Sequence, residues 1–393
     1  MEGVYLEKET NLRSCKRICL QWSRPFLKRQ HLWILLVTIV VWKTLVVTIG
    51  FDTFFYSNPR ERSLCRPVNN VIFIKTHKTG STTVANVLYR YSKSNNLKVV
   101  LPKCAHRFCW PFKFKQNAIY QHKENDTYNM MFHHAVFHKQ NILEIVDKRR
   151  TKFVTILREP YSQLESAAQS FNFKHCYKLN GKLPILDQLF SFSDIDLEKY
   201  IKSQEYDPYG AFSLTKNPNA FDMGFDPWNE TTEYIEAVLK SIEKDFHLVM
   251  ITEYMEESLV LLKNELCWNL KDVAFFIHNA RLTKDVSSNN IEKTKTRVLN
   301  WNKMDVAIYD YFNKTLWKKI ENSGLSFQQD LEKLKKMNFL LKYECANQPK
   351  SKSEKAVSIL KTKFDIVENI TEFCLDLQIQ ELDYTSILKQ SKH

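Results

Sequence analysis

Short apolar runs alternate with amphipathic stretches through the middle of the chain. Val71–Ile74, Phe153–Leu157 and His247–Ile251 are each four or five residues long, which is typical of strands buried on both faces. A short polar loop follows each run, and apolar residues then recur at helical spacing over Thr83–Tyr91, Tyr161–Phe171 and Glu256–Trp268. Strand–loop–helix units in this order predict an α/β fold with a mainly parallel central sheet flanked by helices.

The most apolar stretch, residues 32–55, precedes these units. It reaches the length of about 20 residues that a membrane helix needs only if Lys43 is carried inside it. Basic residues before it orient the N-terminus toward the cytoplasm. We therefore expect a cytoplasmic tail (1–31), a transmembrane signal anchor (32–55), a stem (56–68) and one lumenal domain (69–393). A cleaved signal peptide is the alternative, but no small-x-small cleavage site follows the apolar run.

Cysteines and glycosylation sequons agree with a lumenal domain. Seven of the nine cysteines lie beyond the apolar stretch, and an oxidising lumen would let most of them pair. Because seven is odd, at least one stays free or bridges to another chain. Candidate glycosylation sites also lie beyond the apolar stretch, at Asn125, Asn229, Asn313 and Asn369.

The net charge of +13 favours anionic partners, although residues 1–31 contribute +4 of it. The remainder is dispersed without a dense basic block, so we do not expect nucleic-acid binding. The cysteines show no C-x2-C spacing, and no acidic residue is evidently placed for magnesium, so we expect no metal.

An anion-binding loop is predicted between the first strand and its helix, in the segment Ile74–Thr83. Such a junction directs backbone N–H groups and the positive end of the helix dipole at one point. Hydroxyls add donors, Gly80 allows close approach and Lys78 supplies a charge. The segment is not a Walker A motif, because Lys78 precedes the glycine by two residues. An ordinary basic turn is the structural alternative.

A second anion site is predicted at the end of the next long strand. Arg158 directly follows that strand and Ser166 lies eight residues on, about two turns into the helix. Arginine can bind a phosphate bidentately while the serine donates to the same group. Two such sites at the ends of parallel strands fit one ligand with two separated phosphates.

Histidines supply the candidate general base. Phe132–His138 contains three of the eleven histidines, and His77 lies inside the predicted anion loop. His134 is the first candidate, and His77 is the rival base or a donor to the transferred group. A metal site or packed structural histidines are the alternatives.

The sequence resembles the galactose-3-O-sulfotransferases from about residue 68 to 345. The similarity is most specific at Lys75–Thr82, Leu157–Pro160 with Ser166, Phe221–Phe225, Phe246–Val249 with Glu253–Tyr254 and Glu257–Leu262, and Trp301–Asn302 with Phe312–Trp317. At the family histidine this chain has His134, with His133 in place of an asparagine. The similarity is weaker over 99–130 and after Cys345.

The resemblance implies a P-loop-like sulfotransferase fold and 3′-phosphoadenosine 5′-phosphosulfate (PAPS) as donor. It implies a 5′-phosphosulfate loop made by residues of the first strand–helix junction, with Arg158 and Ser166 at the 3′-phosphate. The residues expected in that junction are Lys75, Thr76, Lys78, Thr79, Gly80, Ser81, Thr82 and Thr83. Lys78 would also stabilise the leaving group.

The implied reaction sulfates the 3-hydroxyl of galactose on galactosylceramide or a related glycolipid or glycan, in the Golgi membrane. Two other functions stay open at this point, a sulfotransferase of glycosaminoglycans and a non-catalytic glycan-binding protein. A homodimer also stays open.

Overall fold

The computed structural model describes residues 65–207, 209–275, 291–346 and 370–391. The predicted tail, the membrane anchor and the stem up to residue 64 lie outside the described residues. Within these four ranges, no helix combines the length and hydrophobicity needed to cross a bilayer.

Four parallel strands form the central sheet of the described chain, in the order β2-β1-β3-β4. The strands are β1 (Val71–Ile74), β2 (Met130–Met131), β3 (Lys152–Leu157) and β4 (Leu248–Ile251). β1 and β4 are buried along their whole length, as their uninterrupted apolar sequences predict. The mixed α/β fold with a parallel sheet flanked by helices is thus confirmed.

Helices connect and cover these strands. Those before β4 are α1 (Ser81–Ser94), α2 (Lys139–Leu143), α3 (Pro160–Ser170), α4 (Phe173–Cys176), α5 (Ile185–Leu189), α6 (Asp194–Lys202), α7 (Pro218–Asp222) and α8 (Thr232–Asp245). Those after it are α9 (Met255–Leu266), α10 (Ile291–Trp301), α11 (Lys303–Glu321), α12 (Gly324–Ala346), α13 (Ile370–Gln378) and α14 (Glu381–Gln390). The helices predicted after the three apolar runs correspond to α1, α3 and α9, with ends shifted by at most a few residues.

The strand order places a crevice at the end of β1. The chain leaves β1 toward β2 on one side of the sheet, and it leaves β3 toward β4 on the other side. The loops that follow β1 and β3 therefore diverge. In open α/β sheets such a switch point is where ligands bind.

Disulfides connect part of the set of cysteines beyond residue 64. Cys345 at the end of α12 is bonded to Cys374 in α13, and Cys65 and Cys267 are also disulfide-bonded. Cys104, Cys109 and Cys176 are thiols.

The candidate glycosylation sites differ in accessibility. Asn125 is exposed, Asn229 is half-buried, and Asn313 lies within α11 with its side-chain oxygen buried. Asn369 lies outside the described residues. Glycosylation at these positions stays a prediction.

Candidate active site

The loop between β1 and α1, residues 75–80, surrounds the end of the first strand. Lys78 and Gly80 both have left-handed backbone conformations, with φ of 60° and 66°. Gly80 precedes the first turn of α1 and carries no side-chain acceptor for the helix N–H groups. The Thr83 N–H donates to the Gly80 carbonyl at 3.0 Å, whereas the N–H groups of Ser81 and Thr82 have no carbonyl one turn earlier in the helix, so they can bind an anion together with the helix dipole.

Hydroxyl groups within the loop hold its shape. The Ser81 hydroxyl donates to the Thr76 carbonyl at 2.7 Å, and the Thr79 hydroxyl contacts that of Thr76 at 2.8 Å. Thr252, just after β4, donates to the Thr79 carbonyl at 2.6 Å. Thr82 is exposed and Thr83 is half-buried. Buried hydroxyls predicted as anion donors therefore also stabilise the loop backbone.

Lys75 lies beneath the loop and is fully buried. Its ammonium forms an ion pair with Glu381 at the start of α14. Burial lowers the pKa of Lys75, while the adjacent Glu381 opposes that shift. Lys75 was predicted to bind the donor, but its ammonium is paired with the C-terminal helix α14.

Arg158 lies on the opposite side of the crevice, directly after β3. Its Nη1 donates to the Lys78 carbonyl at 3.2 Å and so joins the two predicted anion sites. Glu159 accepts from the N–H groups of Tyr161 and Ser162 and caps α3. Ser166 lies about two turns into α3 and is 9% exposed.

The His77 imidazole is held by a buried carboxylate. Its Nδ1 lies 2.8 Å from Oδ2 of Asp222, and the His77 backbone N–H donates to the same oxygen at 2.7 Å. Since the carboxylate accepts, Nδ1 carries the proton and Nε2 presents a lone pair. Nε2 is buried and has no hydrogen-bond partner. Such a carboxylate-supported imidazole is the arrangement of a general base.

A buried polar network fixes the short helix that carries Asp222. Asp305 of α11 accepts from the first-turn N–H groups of Asn219 and Ala220 at 2.8 and 2.9 Å. Burial raises the pKa of Asp305 to about 7. Gln163 of α3 donates to the His77 carbonyl and exchanges hydrogen bonds with Asn219. The network thus connects the helix to the donor loop.

The three clustered histidines have different surroundings. His134 stacks on His77 with 3.9 Å between ring centroids, and its Nδ1 donates to the Lys75 carbonyl at 3.1 Å. Burial, followed by nearby His77 and Lys75, holds the pKa of His134 well below its ordinary value. His133 contacts Thr385 of α14 at 2.9 Å, and His138 caps α2. His134 and His77 therefore share one site, whereas the other two histidines connect structural elements.

Two residues at this site were given no role by the sequence. Asp222 lies 145 positions from His77, and no local pattern connects them. Trp110 donates from Nε1 to Oδ1 of Asp222 at 2.9 Å, and its ring lies 4.5 Å from that of His77. Trp110 belongs to a stretch in which the sequence diverges from the family.

A glycine-containing loop and an arginine lie together at the switch point of the parallel sheet, and helices flank that sheet, so the chain is of the mixed α/β class. The model of the galactose-3-O-sulfotransferase family matches residues 31–389, and the chain belongs to that family.

Individual relatives cover different parts of the chain. The galactosylceramide sulfotransferase of Mus musculus is 32% identical over 285 residues, which are 72% of this chain and 65% of that relative. The enzyme of the same name from Homo sapiens is 33% identical over 262 residues, 66% of this chain and 60% of the relative. The galactose-3-O-sulfotransferase 3 of Bos taurus is 30% identical over 360 residues, 84% of this chain and 80% of the relative. The aligned region thus covers less than two thirds of either galactosylceramide sulfotransferase.

Proposed function

We propose that the protein is a sulfotransferase that moves the sulfuryl group of PAPS to the 3-hydroxyl of a terminal galactose on galactosylceramide or a related glycolipid or glycan. Family membership and the names of the relatives support this class of reaction. The apolar stretch at 32–55 supports a Golgi type II membrane protein with a lumenal catalytic domain.

The observation that carries the proposal is the unpartnered Nε2 of His77 inside the anion loop. Sulfuryl transfer needs a base for the acceptor hydroxyl beside the group that binds the donor. His77 can be this base, because Asp222 supports its ring and the side chain is 3% exposed. It also lies beside the donor-binding group, because it directly precedes Lys78 in the loop. A buried lone pair without a partner is costly unless a substrate hydroxyl reaches it.

The two faces of the crevice fit the two ends of the donor. The α1 N-terminus and Lys78 would bind the 5′-phosphosulfate, while Arg158 and Ser166 would bind the 3′-phosphate. Arg158 already contacts the Lys78 carbonyl, so a single nucleotide can reach both sites.

His77 would accept the proton of the galactose 3-hydroxyl on Nε2 as the acceptor oxygen bonds to sulfur. The bond between sulfur and the bridging phosphate oxygen breaks at the same step, and adenosine 3′,5′-bisphosphate leaves. Lys78 would stabilise the negative charge that grows on that bridging oxygen. Asp222 would stabilise the imidazolium.

The direct experiment uses the full chain, sulfur-labelled PAPS and a panel of acceptors: galactosylceramide, lactose, N-acetyllactosamine and a desulfated glycosaminoglycan. We expect label on galactose, with linkage analysis locating it at the 3-hydroxyl. Label only on the glycosaminoglycan would reassign the acceptor. Absence of label on every sugar would refute the proposal, and absence of donor binding in calorimetry as well would indicate a glycan-binding protein instead.

Lys78→Ala tests the role of the loop lysine. We expect it to abolish measurable turnover while it weakens donor binding only modestly, because the backbone N–H groups still bind the phosphosulfate. Turnover that survives this substitution would contradict the proposed stabilisation of the leaving group. Calorimetry with adenosine 3′,5′-bisphosphate measures donor-site binding independently.

A further inference from the structure

Residues 104–114, here named the clasp loop, lie along the segment that carries His134. Arg107 forms a parallel bridge with His134, and the Phe108 N–H donates to the His134 carbonyl at 2.8 Å. Further along, the Phe114 N–H donates to the Val136 carbonyl at 2.9 Å. The backbone of the clasp loop is therefore hydrogen-bonded at Phe108 and at Phe114 to the segment that carries His134.

Trp110 is the clasp-loop residue that reaches the base. Its Nε1–H donates to Asp222, its ring contacts His77, and the side chain is 8% exposed. Space around the ring is tight, since a Cβ added at Gly210 would lie 2.5 Å from Trp110 Cζ3. Trp110 is thus a positioning residue, because it holds the carboxylate that holds His77.

Two cysteines flank the turn just before Trp110. The Arg107 N–H donates to the Cys104 carbonyl at 3.0 Å, which folds the chain back. As a result the side chains of Cys104 and Cys109 contact each other. Both are exposed thiols, and Cys109 is the direct neighbour of Trp110.

We propose that Cys104 and Cys109 form a disulfide in the mature protein, and that this bond holds Trp110 against the His77–Asp222 pair. The consequence for catalysis rests on the proposed function, whereas formation of the bond needs only an oxidising compartment. Among the seven cysteines beyond residue 64, Cys176 would then be the unpaired one that the odd number requires.

The bond forms by thiol–disulfide exchange with oxidised glutathione or a dithiol–disulfide oxidoreductase. One cysteine thiolate attacks the oxidant disulfide and releases one thiol, and the second cysteine then displaces the other. The two cysteines lose two protons and two electrons, and the oxidant is reduced to its thiols. Partial burial and the adjacent Cys104 raise the pKa of the Cys109 thiol.

Disulfide mapping tests the bond without reference to activity. The full chain, secreted or extracted from a eukaryotic host, is denatured, alkylated without reduction and digested with trypsin. Cleavage after Lys103, Arg107 and Lys113 separates the two cysteines, so the bond would link peptide 104–107 to peptide 108–113. We expect that linked pair, with Cys176 alkylated. Alkylation of both Cys104 and Cys109 would overturn the proposal.

A double-mutant cycle tests whether the disulfide affects catalysis through Trp110. Trp110→Phe removes a hydrogen bond to a charged group, which we expect to reduce kcat about ten- to a hundredfold. The double substitution Cys104→Ser/Cys109→Ser should reduce kcat without changing affinity for adenosine 3′,5′-bisphosphate, and it should add little when Trp110→Phe is already present. Cys176→Ser is the matched control and should leave kcat unchanged.

The mutant cycle and the mapping test the disulfide, its link to Trp110 and the proposed function separately. Full additivity of the substitutions, or wild-type kcat in the double serine variant, would overturn the link to Trp110. If the double serine variant fails to fold, the mapping still decides whether the bond exists. A wild-type chain that carries the bond but labels no acceptor would refute the proposed function and leave the disulfide intact.

Discussion

Asp222→Asn is the sharpest perturbation of the site, because three N–H groups converge on this one carboxylate. The His77 backbone, the His77 ring and the Trp110 indole all donate to it, at 2.7 to 3.0 Å. Asparagine has the same shape but only one acceptor oxygen. At least one of the three donors must then face an NH₂ group. If that donor is the ring, the imidazole shifts its proton to Nε2 and loses the lone pair that would meet the acceptor.

The magnitude follows from the hydrogen bonds that change. A hydrogen bond to a charged group contributes about 1.5–3 kcal/mol, and two are weakened or lost here. A loss of about 3–6 kcal/mol corresponds to a fall in kcat of about 10²- to 10⁴-fold. Asp222 also accepts from the His77 backbone N–H within the donor loop, so donor binding has to be measured separately from kcat.

The assay measures initial rates at saturating donor and acceptor, together with calorimetric binding of adenosine 3′,5′-bisphosphate. Asp226→Asn is the matched control, since Asp226 is exposed and accepts only from the nearby Trp228 N–H among the hydrogen bonds described. We expect near wild-type kcat for this control. If Asp222→Asn retains kcat within a few-fold while thermal unfolding is normal, the carboxylate does not support the base and the assignment to His77 is wrong.

Three further predictions concern the donor site and the scaffold. Arg158→Ala should weaken binding of adenosine 3′,5′-bisphosphate about ten- to a hundredfold, with exposed Arg149→Ala as control, and equal affinities would exclude the 3′-phosphate role. Gly224→Ala should lower the free energy of unfolding by at least about 1–3 kcal/mol. The backbone φ at Gly224 is +81°, and the new Cβ would lie 2.2 Å from the Phe137 carbonyl oxygen. An unchanged denaturation midpoint would contradict this prediction. Asp305 has a pKa raised to about 7, so its contribution to the free energy of unfolding is complete below about pH 4 and is lost as pH rises through about 7. Asp305→Asn should remove this pH dependence of the free energy of unfolding, measured by denaturant titrations at several pH values.

The elements around the donor loop could be predicted because their signals are local. Burial on both faces makes β1 and β4 uninterrupted apolar runs, and Gly80 marks the junction with α1. β2 was not predicted, because two residues, Met130 and Met131, are too short a run to show any period. The loop, Arg158 and Ser166 could be predicted as donor-site candidates for the same reason, since each directly follows or lies soon after a strand; their roles stay predictions.

The partners of these residues could not be predicted, because tertiary contacts rather than sequence neighbours determine them. Lys75 resembles a donor-binding lysine within its motif, yet its ion pair is with Glu381, 306 positions away. The Phe221–Phe225 segment was noticed for its family resemblance, but only the fold brings Asp222 beneath His77. The sequence also could not distinguish the roles of the adjacent His133 and His134, which contact different elements in the fold.

The His77 and His134 rings stack on each other, so the charge on one ring affects the other. A charge on either ring disfavours a charge on the other, and that repulsion is among the causes that lower the pKa of His134. Of the two rings, His77 is the one that contacts Asp222, whereas His134 donates to the neutral Lys75 carbonyl. The carboxylate therefore orients the His77 ring. In the proposed mechanism His77 is the base, and its ring is held in place because His134 covers one face and Trp110 contacts it as well.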